Sequence, residues 1–253
     1  MKAYGVPWDK PLSEHPMEKW ICTGQGCRGL VTRVYNSLID RVANTLAVEK
    51  VWERDLHGIS LEPDWESIWS NMNITSKNLA HQLIHFKMIH RAYATPIKCF
   101  KMKLITDPNC THCQAQTPGT TMHMFWECSV INDFWVQVML SLSELLGSAI
   151  LPSPDLCLLN DVSSLSLNLN QRRLLLAGLT AAKKTILSLW YNPNISLMHT
   201  WMASYQSIAS LECTTARLNR ARSATVQAWS DIAVSIRDYL KRRVTPLRHL
   251  STQ

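Results

Sequence analysis

The sequence predicts an all-α fold: a helical assembly interrupted by one small cysteine-rich insertion. Two observations carry this. Apolar residues recur at three- and four-residue steps over several stretches, which lays each set on one helix face. No alternating apolar–polar run of useful length points to a strand, and no repeat of solenoid length appears. Hydrophobic residues make up 46% of the 253 and charged residues 18%, a balance that supports a packed core and excludes a disordered tail.

Along the chain, residues 1–27 hold Pro7, Pro11, Pro16, Gly24 and Gly26 and read as an irregular leader. A helical region, residues 28–150, follows. Its first helix runs from about Leu30 to Asp55, with Val31, Val34, Leu38, Val42 and Leu46 on one face. Pro63 and Asp64 open a short helix through Ile68 and Trp69, proline being tolerated at an early position. A third helix is expected from a cap near Ser76 to about Ala92, burying Leu79, Leu83, Phe86 and His90. Thr95-Pro96 breaks the chain, because the residue before proline avoids the helical region. A loop rich in cysteine and turn residues leads into a helix from about Met122 to Leu146, and the knuckle spans about 107–129. Pro152, Pro154 and a Ser/Asn-rich stretch make 151–170 the expected linker. Helices over 171–190, 196–212 and 215–242 form a C-terminal helical region, 171–243, and a basic tail, 244–253, ends the chain.

Cys110, Cys113, His123 and Cys128 give C-x2-C-x9-H-x4-C. Two thiolates two residues apart grip one ion from a tight turn, and a His and a Cys close the shell from the start of a helix. Structural zinc takes four such ligands in a tetrahedron, and soft thiolates favour zinc over magnesium or calcium. Three thiolates and one imidazole leave no open position, so the cofactor expected is structural Zn2+ in a small zinc-knuckle insertion. His112 is a rival ligand inside the turn. Cys22 and Cys27, with His15, make a weaker second pair, and Cys99, Cys157 and Cys213 read as small buried hydrophobes.

The net charge is +7, and its distribution is uneven. No acid occurs from Ser67 to Thr106, where Lys77, Lys87, Arg91, Lys98, Lys101 and Lys103 stand. From Asp107 to Asp161 there are acids and no Lys or Arg. Segregated positive charge attracts polyanions; solvated helix faces on a basic protein are the plain alternative. The expected phosphate contacts are those six residues on the third helix and its strand-like exit, with Lys87 and Arg91 sharing a face. Tyr93 and Trp126 are candidates to stack on unpaired bases, while Phe125 is expected in the core. His81 and His85, four apart, read as solvated or capping residues. Lys241-Arg242-Arg243 with Arg248 is a terminal basic run.

Several strings together resemble a known family. Trp52-Glu53-Arg54-Asp55-Leu56 comes first, then Trp65 with Ile68-Trp69. Lys87, His90, Arg91, Tyr93, Thr95 and Pro96 form K-x-x-H-R-x-Y-x-T-P. Lys101-Met102 precedes the cysteine pair, and His123-Met124-Phe125-Trp126-Glu127-Cys128 with Phe134-Trp135 closes it. Ala182-Lys183-Lys184-Thr185-Ile186-Leu187, Trp190 and Trp201 follow. Over roughly residues 28–230 the chain resembles the C-terminal zinc-binding segment of LINE-type (non-LTR) retrotransposon reverse-transcriptase polyproteins. The resemblance implies an accessory region that binds RNA or single-stranded nucleic acid and sits beside a reverse-transcriptase domain absent from this chain. The alternatives are a protein-interaction scaffold and a non-functional remnant of a retrotransposon reading frame.

Catalysis is not expected. The chain has no Asp-Asp pair for two-metal chemistry, no nucleophile elbow and no phosphate loop. No apolar run approaches the roughly 20 residues that span a bilayer, and the N-terminus lacks the apolar core of a signal peptide. An intracellular protein without a membrane partner is therefore expected, its eight cysteines serving as thiols or ligands rather than disulfides.

Overall fold

The computed structural model describes residues 45–59, 62–113 and 115–244. The chain divides into two compact units, 1–47 and 48–253, and the description below concerns the second. The leader, the first helix before Thr45, the Cys22/Cys27 pair and the tail beyond Val244 lie outside the described residues.

The fold is all-α. Among the described residues the order is α1 (Thr45–Leu56), α2 (Trp65–Thr75), α3 (Leu79–Ile89), α4 (Pro96–Lys101), a π-helical turn (His123–Glu127), α5 (Ser129–Leu146), α6 (Pro154–Leu159), α7 (Leu169–Tyr191), α8 (Leu197–Leu218) and α9 (Ser223–Val244). The one β-type pairing among them is a single antiparallel bridge between Asn109 and Pro118. No described helix is long and apolar enough to cross a membrane.

Helix α7 is the axis of the core. A capping box starts it: Asn168 accepts from the Asn170 and Gln171 amides, and the Gln171 side chain accepts from the Asn168 amide. From Leu174 to Lys183 every residue is buried, as expected of a helix packed on all sides. It packs on α2, α3, α5, α6, α8 and α9. Gly178 permits a close crossing, since a Cβ there would lie 2.6 Å from a Leu142 methyl of α5. Helix α8 is pinned to the same helix by Trp201 Nε1 donating to the Gly178 carbonyl (3.0 Å) and the Tyr205 hydroxyl donating to the Leu174 carbonyl (2.8 Å).

Residues 151–170 are not a linker. They carry α6, with Pro154 at its start and Leu156, Cys157, Leu158 and Leu159 buried. The Lys183 ammonium, fully buried, donates to the carbonyls of Cys157 (3.1 Å) and Leu158 (3.0 Å) and to Asn160 Oδ1 (2.6 Å). It thereby satisfies carbonyls that a helix end leaves open. Asp161 and Asn160 also accept from the Asp64 amide and the Asn71 side chain, which fastens α2 to this segment. Proline and serine marked these residues as a loop; their leucines made them core.

The expected buried face of α3 is inverted. Leu79, Leu83 and Phe86 are exposed, as is His90, and His81, His85, Met88 and Ile89 are buried. Each buried imidazole has a polar contact: Ser76 Oγ lies 3.1 Å from His81 Nδ1, and the Ile68 carbonyl 3.4 Å from His85 Nε2. Ser76 ends α2 and also donates to Glu212, while Asn78 caps α3.

Helices α3, α4 and α8 end alike. Arg91, Lys103 and Arg220 adopt the left-handed conformation just past each helix (φ 49°, 58° and 48°), where glycine is usual. Paired amide-to-carbonyl bonds close each turn: Ala92 to Lys87 and Arg91 to Met88, Leu104 to Cys99 and Lys103 to Phe100, Ala221 to Ala216 and Arg220 to Arg217. A cation there complements the negative helix end.

Burial, with the nearby Lys183 charge second, holds His85 down at about 3, and burial pulls Lys183 down to about 7. Both folded values lie below the ordinary 6.5 and 10.5, so the unfolded chain binds protons more tightly. Stability therefore falls with acidity from pH 6.5 towards 3 through His85, and from 10.5 towards 7 through Lys183. Thermal melts should show an acid limb that approaches about 1.4 kcal/mol per pH unit and is shallower in His85→Leu. The difference between the two proteins isolates His85 from the other groups that titrate in acid. Identical acid limbs would contradict a buried neutral imidazole.

Candidate metal centre

Beyond α4 the chain turns back on itself. The Cys110 amide donates to the Thr117 carbonyl (2.8 Å) and the Gly119 amide to the Pro108 carbonyl (2.8 Å), on either side of the Asn109–Pro118 bridge. Cys110 and Cys113 thus sit at the tip of a narrow loop, where the His112 amide points at Cys110 Sγ (3.4 Å). The loop is seated on α4. A Cβ at Gly119 would lie 2.6–2.8 Å from the Pro96 ring, and the Ile97 amide donates to the Gly119 carbonyl. Only glycine fits this approach. The Thr117-Pro118-Gly119 string was the available signal for it.

The returning segment delivers the other two side chains. The His123 amide donates to Thr120 Oγ1 (3.0 Å), and the π-helical turn closes when the Cys128 amide donates to the His123 carbonyl (3.0 Å). Helical geometry stops at Cys128 (φ −58°, ψ 128°), and α5 begins at Ser129. The expected continuous helix from Met122 to Leu146 is therefore two pieces. In one α-helix, positions five apart diverge by about 140° around the axis. The wide turn and the break bring His123 and Cys128 to one point.

The four donor atoms of Cys110, Cys113, His123 and Cys128 all lie within 4.8 Å of one another. Cys110 Sγ and Cys128 Sγ are 4.0 Å apart, and Cys113 Sγ and His123 Nε2 are 3.3 Å apart. An ion held tetrahedrally at about 2.3 Å from sulfur and about 2.0 Å from nitrogen needs edges of about 3.8 and 3.5 Å. The set can hold a metal ion with small adjustments, through Nε2 of His123. Cys110, His123 and Cys128 are buried and Cys113 half-buried. His112 stands outside the group.

Burial pushes the Cys128 thiol up to about 12; the Ile131 and Val130 amides oppose this, and the Cys110 and Cys113 sulfurs add to it. Cys113 is held below its ordinary value, first by a backbone hydrogen bond from Ala115. Three neighbouring thiolates repel, so a cation at their centre would let all of them ionise.

The expected nucleic-acid residues divide. Lys77, Lys101 and Lys103 are exposed, and Lys87 is half-buried in the last turn of α3. Arg91 lies past the end of α3 and shares no helix face with Lys87. Its guanidinium rests over the Trp52 ring (3.9 Å) and pairs with Asp55 (2.5 Å). Lys98 donates to the Arg91 carbonyl, from a short helix rather than a strand-like exit. Tyr93 donates to the Ile84 carbonyl (3.1 Å) and packs on Phe125 and Trp190. Burial raises its phenol pKa. Phe125 is in the core, and Trp126 is half-buried against it.

No protein-family model matches the chain.

Cys113→Ser should lose bound metal and open residues 95–138 to protease; retained metal and equal resistance would contradict the cluster. Arg91→Ala should cost about 1–3 kcal/mol of stability in denaturant melts, and an unchanged midpoint would remove its bracing role.

Proposed function

We propose that the chain is a zinc-containing, non-catalytic accessory module that binds RNA or single-stranded nucleic acid. In this reading it is similar to the zinc-binding segment of LINE-type retrotransposon polyproteins, works inside the cell, and has a separate reverse-transcriptase domain as its partner. One observation supports it most: a closed Cys3His cluster directly follows a forty-residue stretch, Ser67 to Thr106, that is basic and free of acids.

The donor set argues for zinc. Three thiolates and an imidazole suit a borderline-soft ion without geometric preference, and a full shell leaves no site for water or substrate. The zinc would be structural, tying the loop at 107–119 to the start of α5. Phosphates would meet the exposed Lys77, Lys101 and Lys103 and the half-buried Lys87. Arg91, Tyr93 and Lys98 would act indirectly, by holding the turn after α3.

A second reading has its own observation. Leu79, Leu83 and Phe86 form an exposed apolar stripe on α3, which suits a scaffold that docks another protein domain.

Titration of labelled single-stranded RNA with zinc-loaded protein at several salt concentrations tests the first reading. Affinity should fall steeply with salt, and Lys101→Gln/Lys103→Gln should flatten the log–log slope by about 1.4, at about 0.7 per lost phosphate contact. No binding at low salt would leave the scaffold.

A further inference from the structure

The turn that ends α4 carries more exposed apolar surface than its lysines account for. Phe100, Met102, Leu104 and Ile105 are 41–69% exposed, and none belongs to the buried core. Lys101 and Lys103, also exposed, stand between them. Six consecutive residues therefore present four apolar side chains and two cations. Isolated exposed apolar residues need no explanation, but a contiguous set of this kind marks a contact surface.

The turn is built rather than loose. The Leu104 amide bonds the Cys99 carbonyl and the Lys103 amide the Phe100 carbonyl, both at 2.9 Å. Lys103 takes the left-handed position (φ 58°) that favours glycine. A side chain is thus kept where its backbone conformation is costly. The base of the same short helix carries the Gly119–Pro96 contact, so the turn projects from the support of the metal loop.

We infer that this turn is a single-strand reader, in which Phe100 and Met102 pack on unpaired base faces while Lys101 and Lys103 take the flanking phosphates. The partner must be apolar and anionic by turns, because the surface alternates apolar and cationic groups residue by residue. A single strand has that character, with π-faces and phosphates repeating along its length. A duplex hides its base faces. An anionic membrane would also meet the charge, and it is an outcome of the test. This inference rests on the nucleic-acid reading above and adds to it the apolar half of the contact and the preference for unpaired bases.

The experiment uses the metal-loaded full chain, a twelve-nucleotide RNA single strand, the same sequence as a duplex, and vesicles of phosphatidylcholine with and without phosphatidylserine. Phe100→Ala/Met102→Ala should weaken single-strand binding at least about tenfold with the salt slope unchanged, and should leave duplex binding alone. Phe100→Tyr should retain binding, and Phe100→Leu should not. Both changed side chains, Phe100 and Met102, face solvent, so metal content and melting should match the parent protein. Undiminished single-strand affinity in the alanine pair would overturn the inference and leave the nucleic-acid reading standing. Failure of the parent protein to bind any RNA would overturn both. Phosphatidylserine-dependent vesicle binding that is lost in the alanine pair, with RNA binding intact, would assign the turn to a membrane instead.

Discussion

The break in the chain at Cys128 governs the arrangement of everything around it. One residue ends the π-helical turn, caps α5 and places a sulfur beside those of Cys110 and Cys113. The loop at 107–119 has little apolar surface of its own to bury: apart from Cys110 and Gly119, its described residues are exposed or half-buried. Its position depends on its ligands and on the fit of Gly119 against Pro96. Through Cys128 it is joined to α5, and through α5 to α7.

The same turn has an inner side. Phe125 is fully buried between Tyr93 and Trp190, with ring centroids 5.4 and 5.1 Å away, and its carbonyl accepts from Trp135 Nε1 at 2.8 Å. The Cys3His group and this aromatic group therefore both hold one five-residue turn. A ligand lost on one side leaves the turn held only by ring packing. Ion binding and local folding should then be one event, as is usual when ligands must converge from separate segments.

What was legible in the sequence was local chemistry. The spacing of the four ligands survives as an assembled cluster, and α7 starts and ends close to its expected bounds because Asn168 and Gln171 cap it and Pro193 follows it. What was illegible depended on distant partners. His81 and His85 look like surface residues until Ser76 and the Ile68 carbonyl are placed beside them. Lys183 looks like one of a basic pair until the end of α6 surrounds it. Arg91 looks like a phosphate ligand until Asp55 and Trp52, more than thirty residues earlier, claim its guanidinium. In each case the residue's own hydrophilicity points to the surface, whereas its position is decided by whether a partner is available in the interior.

The proposed centre is one ion bound by three sulfurs and one nitrogen. X-ray absorption at the zinc edge of the purified full chain reads that shell directly. One equivalent of zinc is expected, with three sulfurs at about 2.3 Å and one nitrogen at about 2.0 Å. A shell of oxygen and nitrogen alone, or protein that folds fully with no stoichiometric metal, would contradict it.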